Sequence, residues 1–146
     1  MIPVICYRVS AVVLLLFAAG HQFGFRRVDP EWHADIAAAA MRDVRFPVQG
    51  FQRSYWEFFS GFGFFVTVLL LFSAYFAWYV GGLSPDGRKM LAPVVWAFAI
   101  AYVLIAALTW RYFFMAPGIF ATFVALLLVI AAASVAMERS GTASAG

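Results

Sequence analysis

The chain has 146 residues, 65% of them apolar and only 12% charged, where a soluble domain is nearer half apolar and a quarter charged. That balance excludes an ordinary soluble enzyme and a disordered chain. The formal net charge of +3 comes without a basic run long enough to follow phosphates, which excludes a nucleic-acid binder. The single cysteine, Cys6, excludes a disulfide framework, a multi-cysteine zinc site and a dithiol redox pair. A small polytopic membrane protein remains.

The first apolar run, from Ile2 to Gly20, is interrupted only by Tyr7, Arg8 and Ser10. It reaches the ~20 residues that a spanning helix needs. Arg8 followed by an apolar stretch and Ala18-Ala19-Gly20 imitates a signal peptide, but three further spans follow, and the run is read as the first helix. The second run, Phe58 to Val80, carries no charge and ends at Gly81-Gly82. The third, Leu91 to Trp110, has Pro93 in its first turn, where proline is tolerated. The fourth, Gly118 to Met137, follows Pro117.

The connections differ. Ser84-Pro85-Asp86-Gly87 is a turn signal, and Arg111 to Pro117 is a very short link. The loop between the first two spans holds most of the charge. In it, Asp29-Pro30-Glu31 reads as a helix start, with Asp29 as N-cap. Trp32, Ile36, Ala40 and Val44 then share one face up to about Phe46, before Pro47, which predicts a short amphipathic helix at the membrane interface. The expected fold is all-α: a polytopic four-helix membrane bundle with spans at about 3–22, 55–80, 91–111 and 117–137 and an interfacial helix at about 30–46. It forms one domain over 1–140, with a flexible tail at 141–146.

An ionisable group near membrane depth costs ~2.5–3.5 kcal/mol on insertion scales, so each calls for an explanation. Four spans place the polar residues His21, Arg53-Ser54-Tyr55-Trp56-Glu57 and Trp110-Arg111-Tyr112 together on the long-loop side; the opposite end offers only turn and tail charges. This asymmetry predicts a polar pocket there. Glu57 is the expected centre, with Ser60 and Gly61 one turn deeper. Ser54-x-x-Glu57 also reads as a capping box. Arg111 is either a helix-end cation or an ion-pair partner of Glu57. His21 is either an interfacial cap or a proton carrier facing Glu57. These three are the catalytic candidates. Arg53, Tyr55, Trp56, Ser60, Trp96, Tyr102, Trp110 and Tyr112 are candidates for lining the substrate. Tyr and Trp at depth need partners for their polar atoms. Gly63-xxx-Thr67, Ala97-xxx-Ala101 and Ala121-xxx-Ala125 read as helix-packing seams. Two histidines and scattered acids make no metal site, and His33 lies off the spans, so two-histidine haem ligation is excluded. No cofactor is expected.

The stretches His21-Gln22-Phe23-Gly24-Phe25, Tyr55 to Gly63 and Trp110-Arg111-Tyr112-Phe113-Phe114-x-x-Pro117 are similar to a group of small bacterial four-span proteins. The layout resembles DoxX-like four-helix membrane proteins in architecture alone. Arg53 and Glu57 resemble the glutathione-dependent MAPEG enzymes, although the Arg, Asn and Glu spacing of that family is absent. The resemblance implies a bacterial inner membrane. Counting Lys and Arg alone points to a cytoplasmic long loop, whereas Arg8 near the start of the first span favours cytoplasmic termini, which is the orientation expected here.

The leading functional expectation is an intramembrane pocket for a lipophilic small molecule of isoprenoid, sterol-like or quinone-like class, with Glu57 as acid–base catalyst of an isomerisation, cyclisation or hydration. The expected surroundings are the lipid bilayer and no nucleic acid. The alternative is a structural or accessory subunit, or a homo-oligomer. A small proton-coupled exporter is a third reading, weakened by the lack of an acid in the first span.

Overall fold

In a bilayer the backbone must satisfy its own hydrogen bonds, so long charge-free apolar runs become helices. The protein is here described by a computed structural model covering residues 1–143, with side chains through Met137. Helix α1 spans Ile2–Gly24, and a single 3₁₀ turn follows at Pro30–Trp32. Next come α2 (Asp35–Asp43), strands β1 (Arg45–Val48) and β2 (Phe51–Ser54), α3 (Tyr55–Gly82), α4 (Pro85–Met90), α5 (Ala92–Tyr112) and α6 (Met115–Ala143). Four helices are long and apolar enough to cross a membrane: α1, α3, α5 and α6 as far as Met137. The fold class is all-α as expected, and the chain is an integral membrane protein by that criterion. Of the tail expected at 141–146, residues 141–143 belong to the end of α6, and residues 144–146 lie outside the described part.

The expected helix at 30–46 is broken into three pieces. Asp29 accepts a hydrogen bond from the Glu31 backbone N–H at 3.0 Å, starting the 3₁₀ turn, and His33 then closes it in the left-handed region at φ 50°. That kink restarts the chain as α2. Its end at Val44 is followed by an antiparallel hairpin, not by more helix, because Pro47 cannot donate inside a helix and holds Phe46 extended. The register pairs Arg45 with Ser54, Phe46 with Arg53, Pro47 with Gln52 and Val48 with Phe51. Gln49 at φ 46° and Gly50 at φ 87° make the two-residue turn, in which both central positions need positive φ. The expected turn at 84–87 is a helical turn instead, capped by Ser84 Oγ accepting from Gly87 N–H at 3.2 Å.

The chain divides into two compact units, one formed by Ala18–Leu70, the other by Met1–Phe17 with the chain from Leu71. In the second unit α5 and α6 pack along each other. On α6 the expected seam is present, with Ala121, Val124, Ala125 and Leu128 buried. On α5 it is shifted: Val95, Ala99 and Tyr102 are buried, whereas Ala97 and Ala101 are exposed. In the first unit, Phe25, just past the end of α1, lies over Gly63 of α3, where a Cβ would run into its ring. On α2, Ala38 is buried while the predicted apolar stripe points outward, with Ile36 85% exposed and Trp32 and Val44 also exposed.

Candidate functional site

The first turn of α3 is organised around Glu57. Both arms of the capping box form: the Ser54 backbone N–H donates to Glu57 Oε2 at 2.7 Å, and the Glu57 N–H donates to Ser54 Oγ at 3.3 Å. The hairpin then delivers a second layer. Arg45 Nη2 on β1 lies 3.4 Å from Oε2, and Arg53 Nη1 at the end of β2 lies 3.9 Å from Oε1. Arg45 Nη2 also donates to the Gln52 carbonyl at 3.1 Å, which ties the guanidinium to the opposite strand. The carboxylate is thus an ionic clasp between hairpin and helix, 39% exposed at its side chain. Every donor addresses the ionised form, an arrangement suited to holding charge in place more than to delivering a proton.

Aromatic rings of β1 and α3 pack on one another beside the clasp. Phe46 packs at 4.9 Å from Tyr55 and stacks at 6.1 Å over Phe58, and Trp56 lies between Phe59 at 5.5 Å and the Arg42 guanidinium at 4.1 Å. Two open grooves run along this face. One, of about 420 Å³, is lined by Arg53, Glu57, Phe58, Gly61, Phe62 and Phe65. The other, of about 480 Å³, is lined by Met41, Phe46, Tyr55, Phe58, Phe59 and Phe62. Phe58 and Phe62 border both. Nothing lies within 4 Å of where a Cβ on Gly61 would stand, so this glycine leaves the first groove open.

Of the predicted site residues, Arg53, Tyr55, Trp56, Glu57 and Ser60 belong to this stretch. His21 does not join Glu57. Its Nδ1 lies 3.1 Å from Thr67 Oγ1, ten residues and about 15 Å further along α3. There Thr67 Oγ1 also lies 3.1 Å from Gln22 Oε1 and 3.2 Å from the Gly63 carbonyl, and His21 stacks on Phe25 at 5.0 Å. His21 is therefore a packing residue of the Gly63–Thr67 seam. Arg111 lies in the other unit, exposed, with its guanidinium 5.2 Å from the ring of Tyr112, also exposed.

The other candidates sit in the unit of α5 and α6. Tyr102 is buried and edge-on to Phe98 at 5.3 Å. It is a core residue. Trp96 lies on the exposed side of α5. Trp110 spans the short link to α6: its ring covers Gly118 and its Nε1 donates to Thr122 Oγ1 at 2.9 Å. Trp110→Phe and Thr122→Val should each lower stability by about 1 kcal/mol, and the double variant by little more than either, in a detergent unfolding cycle. Equal and additive losses would separate the two residues. The residues missed from sequence are Met41, Arg45, Phe46, Phe58, Phe59, Phe62 and Phe65; the hairpin register alone brings Arg45 and Phe46 to α3.

These features define a class: a four-span integral membrane protein with an ion-clasped hairpin beside an aromatic groove. Compared with family models, curated proteins and solved structures, the chain matches none.

Proposed function

We propose that the protein binds a lipophilic small molecule whose apolar body lies along Phe58, Phe62 and Phe65 and whose hydrogen-bonding head meets Glu57 and Arg53. The observation that carries this reading is the groove that places one acceptor and one donor at the head of an otherwise aromatic wall. A hydroxyl-bearing head of isoprenoid-alcohol or quinol type suits it, since a hydroxyl donates to a carboxylate and accepts from a guanidinium. Binding, not acid–base turnover, is the role that the clasped Glu57 supports. In this reading the protein sits in a bacterial inner membrane with both termini cytoplasmic.

The test uses Gly61. A leucine there fills the groove from a position where its Cβ meets no other atom. Native mass spectrometry of gently purified wild type should show a bound lipophilic molecule, absent from Gly61→Leu at an unchanged melting temperature. A wild-type protein free of small molecules overturns the reading.

An accessory-subunit reading has its own observation. Only 17% of the most apolar stretch of α3 is buried, against 33% for α5 and 39% for α1 and α6. A face so uncovered suits a neighbouring helix, and the same spectra would then show a defined oligomer or a second chain.

A further inference from the structure

We propose that Arg8 and Arg88 form a binding site for a phosphate group, at the end of α1 away from the long loop. Both arginines are brought to one corner of the chain, Gly81 to Leu83. The Arg8 side chain runs past Gly81 and Gly82: a Cβ on Gly81 would lie 3.4 Å from its Nε, and one on Gly82 would lie 3.1 Å from its Nη2. Its guanidinium carbon lies over the Trp78 ring, 3.7 Å from the centroid. Arg88, on α4, is only 4% exposed, and its Nη1 donates to the Leu83 carbonyl.

The corner is rich in donors and poor in acceptors. Arg8 Nη1 and Arg88 Nε are buried without a hydrogen-bond partner, as are the hydroxyls of Tyr7 and Ser10, which sit one turn apart on α1 and are both 0% exposed. Tyr7 is within electrostatic reach of Arg88. Among the described side chains of this unit the one carboxylate is Asp86, which is 90% exposed and lies 3.6 Å from Lys89 Nζ. A buried Arg88 and a half-buried Arg8 whose Nη1 is enclosed therefore meet no acid among the described side chains, a condition that is unfavourable unless an anion supplies the missing acceptors. Helix-end carbonyls offset part of this, but only Leu83 accepts a bond. Planar arginine forks match phosphate oxygens in pairs, and a tetrahedral anion has oxygens for more than two donors. Corners between membrane spans lie at headgroup depth, so the phosphate can come from a phospholipid or from solution.

Two probes separate these sources. Delipidated full-length protein in an uncharged detergent would be titrated with inorganic phosphate, against chloride at matched ionic strength, following thermal unfolding. In parallel it would receive phosphatidylglycerol or a diacylglycerol with the same chains, read by native mass spectrometry. Stabilisation by phosphate identifies a soluble ligand; retention of phosphatidylglycerol but not diacylglycerol identifies a lipid headgroup. Arg8→Gln and Arg88→Gln should each weaken the positive arm about tenfold. Arg88→Lys, which keeps the charge but loses the fork, should fall between and serves where a glutamine variant does not fold. A wild type indifferent to both probes, or folded glutamine variants that bind as wild type does, would overturn the site and leave the arginines as caps on the end of α3.

Discussion

Gly63→Ala is expected to lower stability by roughly 1–3 kcal/mol, a large loss for one methyl group. The added Cβ falls inside the space of the Phe25 ring. The ring has no easy retreat, since it is stacked by His21 at 5.0 Å, met by Phe59 at 6.0 Å and met edge-on by Phe64 at 5.6 Å. Moving it would also disturb the His21–Thr67 hydrogen bond. Thermal unfolding in detergent would measure the loss, and Phe25→Leu supplies the control. With a smaller side chain over the glycine, the alanine should cost markedly less, giving a coupling of the sign expected for residues in contact. A Gly63→Ala protein as stable as wild type would mean that the small residue serves no close approach.

The same contact shows what could be read from sequence. Gly63-xxx-Thr67 was legible as a seam because small residues four apart on a span have few other uses. The phase of the α5 seam was not legible. Ala97 and Ala101 have the same spacing as Val95, Ala99 and Tyr102 allow, and in lipid the outward face of a helix is as apolar as the inward one, so hydropathy does not mark the inside. The stripe Trp32, Ile36, Ala40, Val44 misled for the same reason: an interfacial helix can turn its apolar side to the bilayer and its Ala38 side to the protein. The hairpin was missed because four-residue strands carry little alternation, and Gln49-Gly50 is a weaker turn signal than asparagine or aspartate before glycine. Such a short ribbon is marginal alone; the clasp on Glu57 and the Phe46–Phe58 stack hold it, and those contacts are tertiary. The order of the spans led to the expectation that Arg111 and Glu57 share a level, but it fixed no helix rotation. Arg45, much nearer in chain and tied by the strand register, takes the carboxylate instead.

Glu57 is where the structural and binding roles can be taken apart, through two variants with opposite expectations. Glu57→Ala removes the acceptor for the Ser54 N–H and both arginines at once. The hairpin should then come loose, read as faster amide exchange across 45–54 with exchange in α5 and α6 unchanged. Ser54→Ala, which removes only the hydroxyl arm of the cap, should cost about 1 kcal/mol and leave the clasp in place. Glu57→Gln keeps a carbonyl oxygen in the same place, so the cap and one arginine contact persist and the hairpin should stay closed. The charge balance of the clasp nevertheless changes, from two arginines against one carboxylate to two arginines alone. The sign of the effect on binding then reports the head of the ligand. A hydroxyl head that donates to the carboxylate should be held more weakly by Glu57→Gln, seen as reduced occupancy in native spectra of a protein whose exchange pattern is that of wild type. An anionic head would be held more tightly, because its rival for Arg45 and Arg53 is gone. Unchanged occupancy in a closed hairpin would confine Glu57 to the clasp and move the polar contact to Arg53 alone.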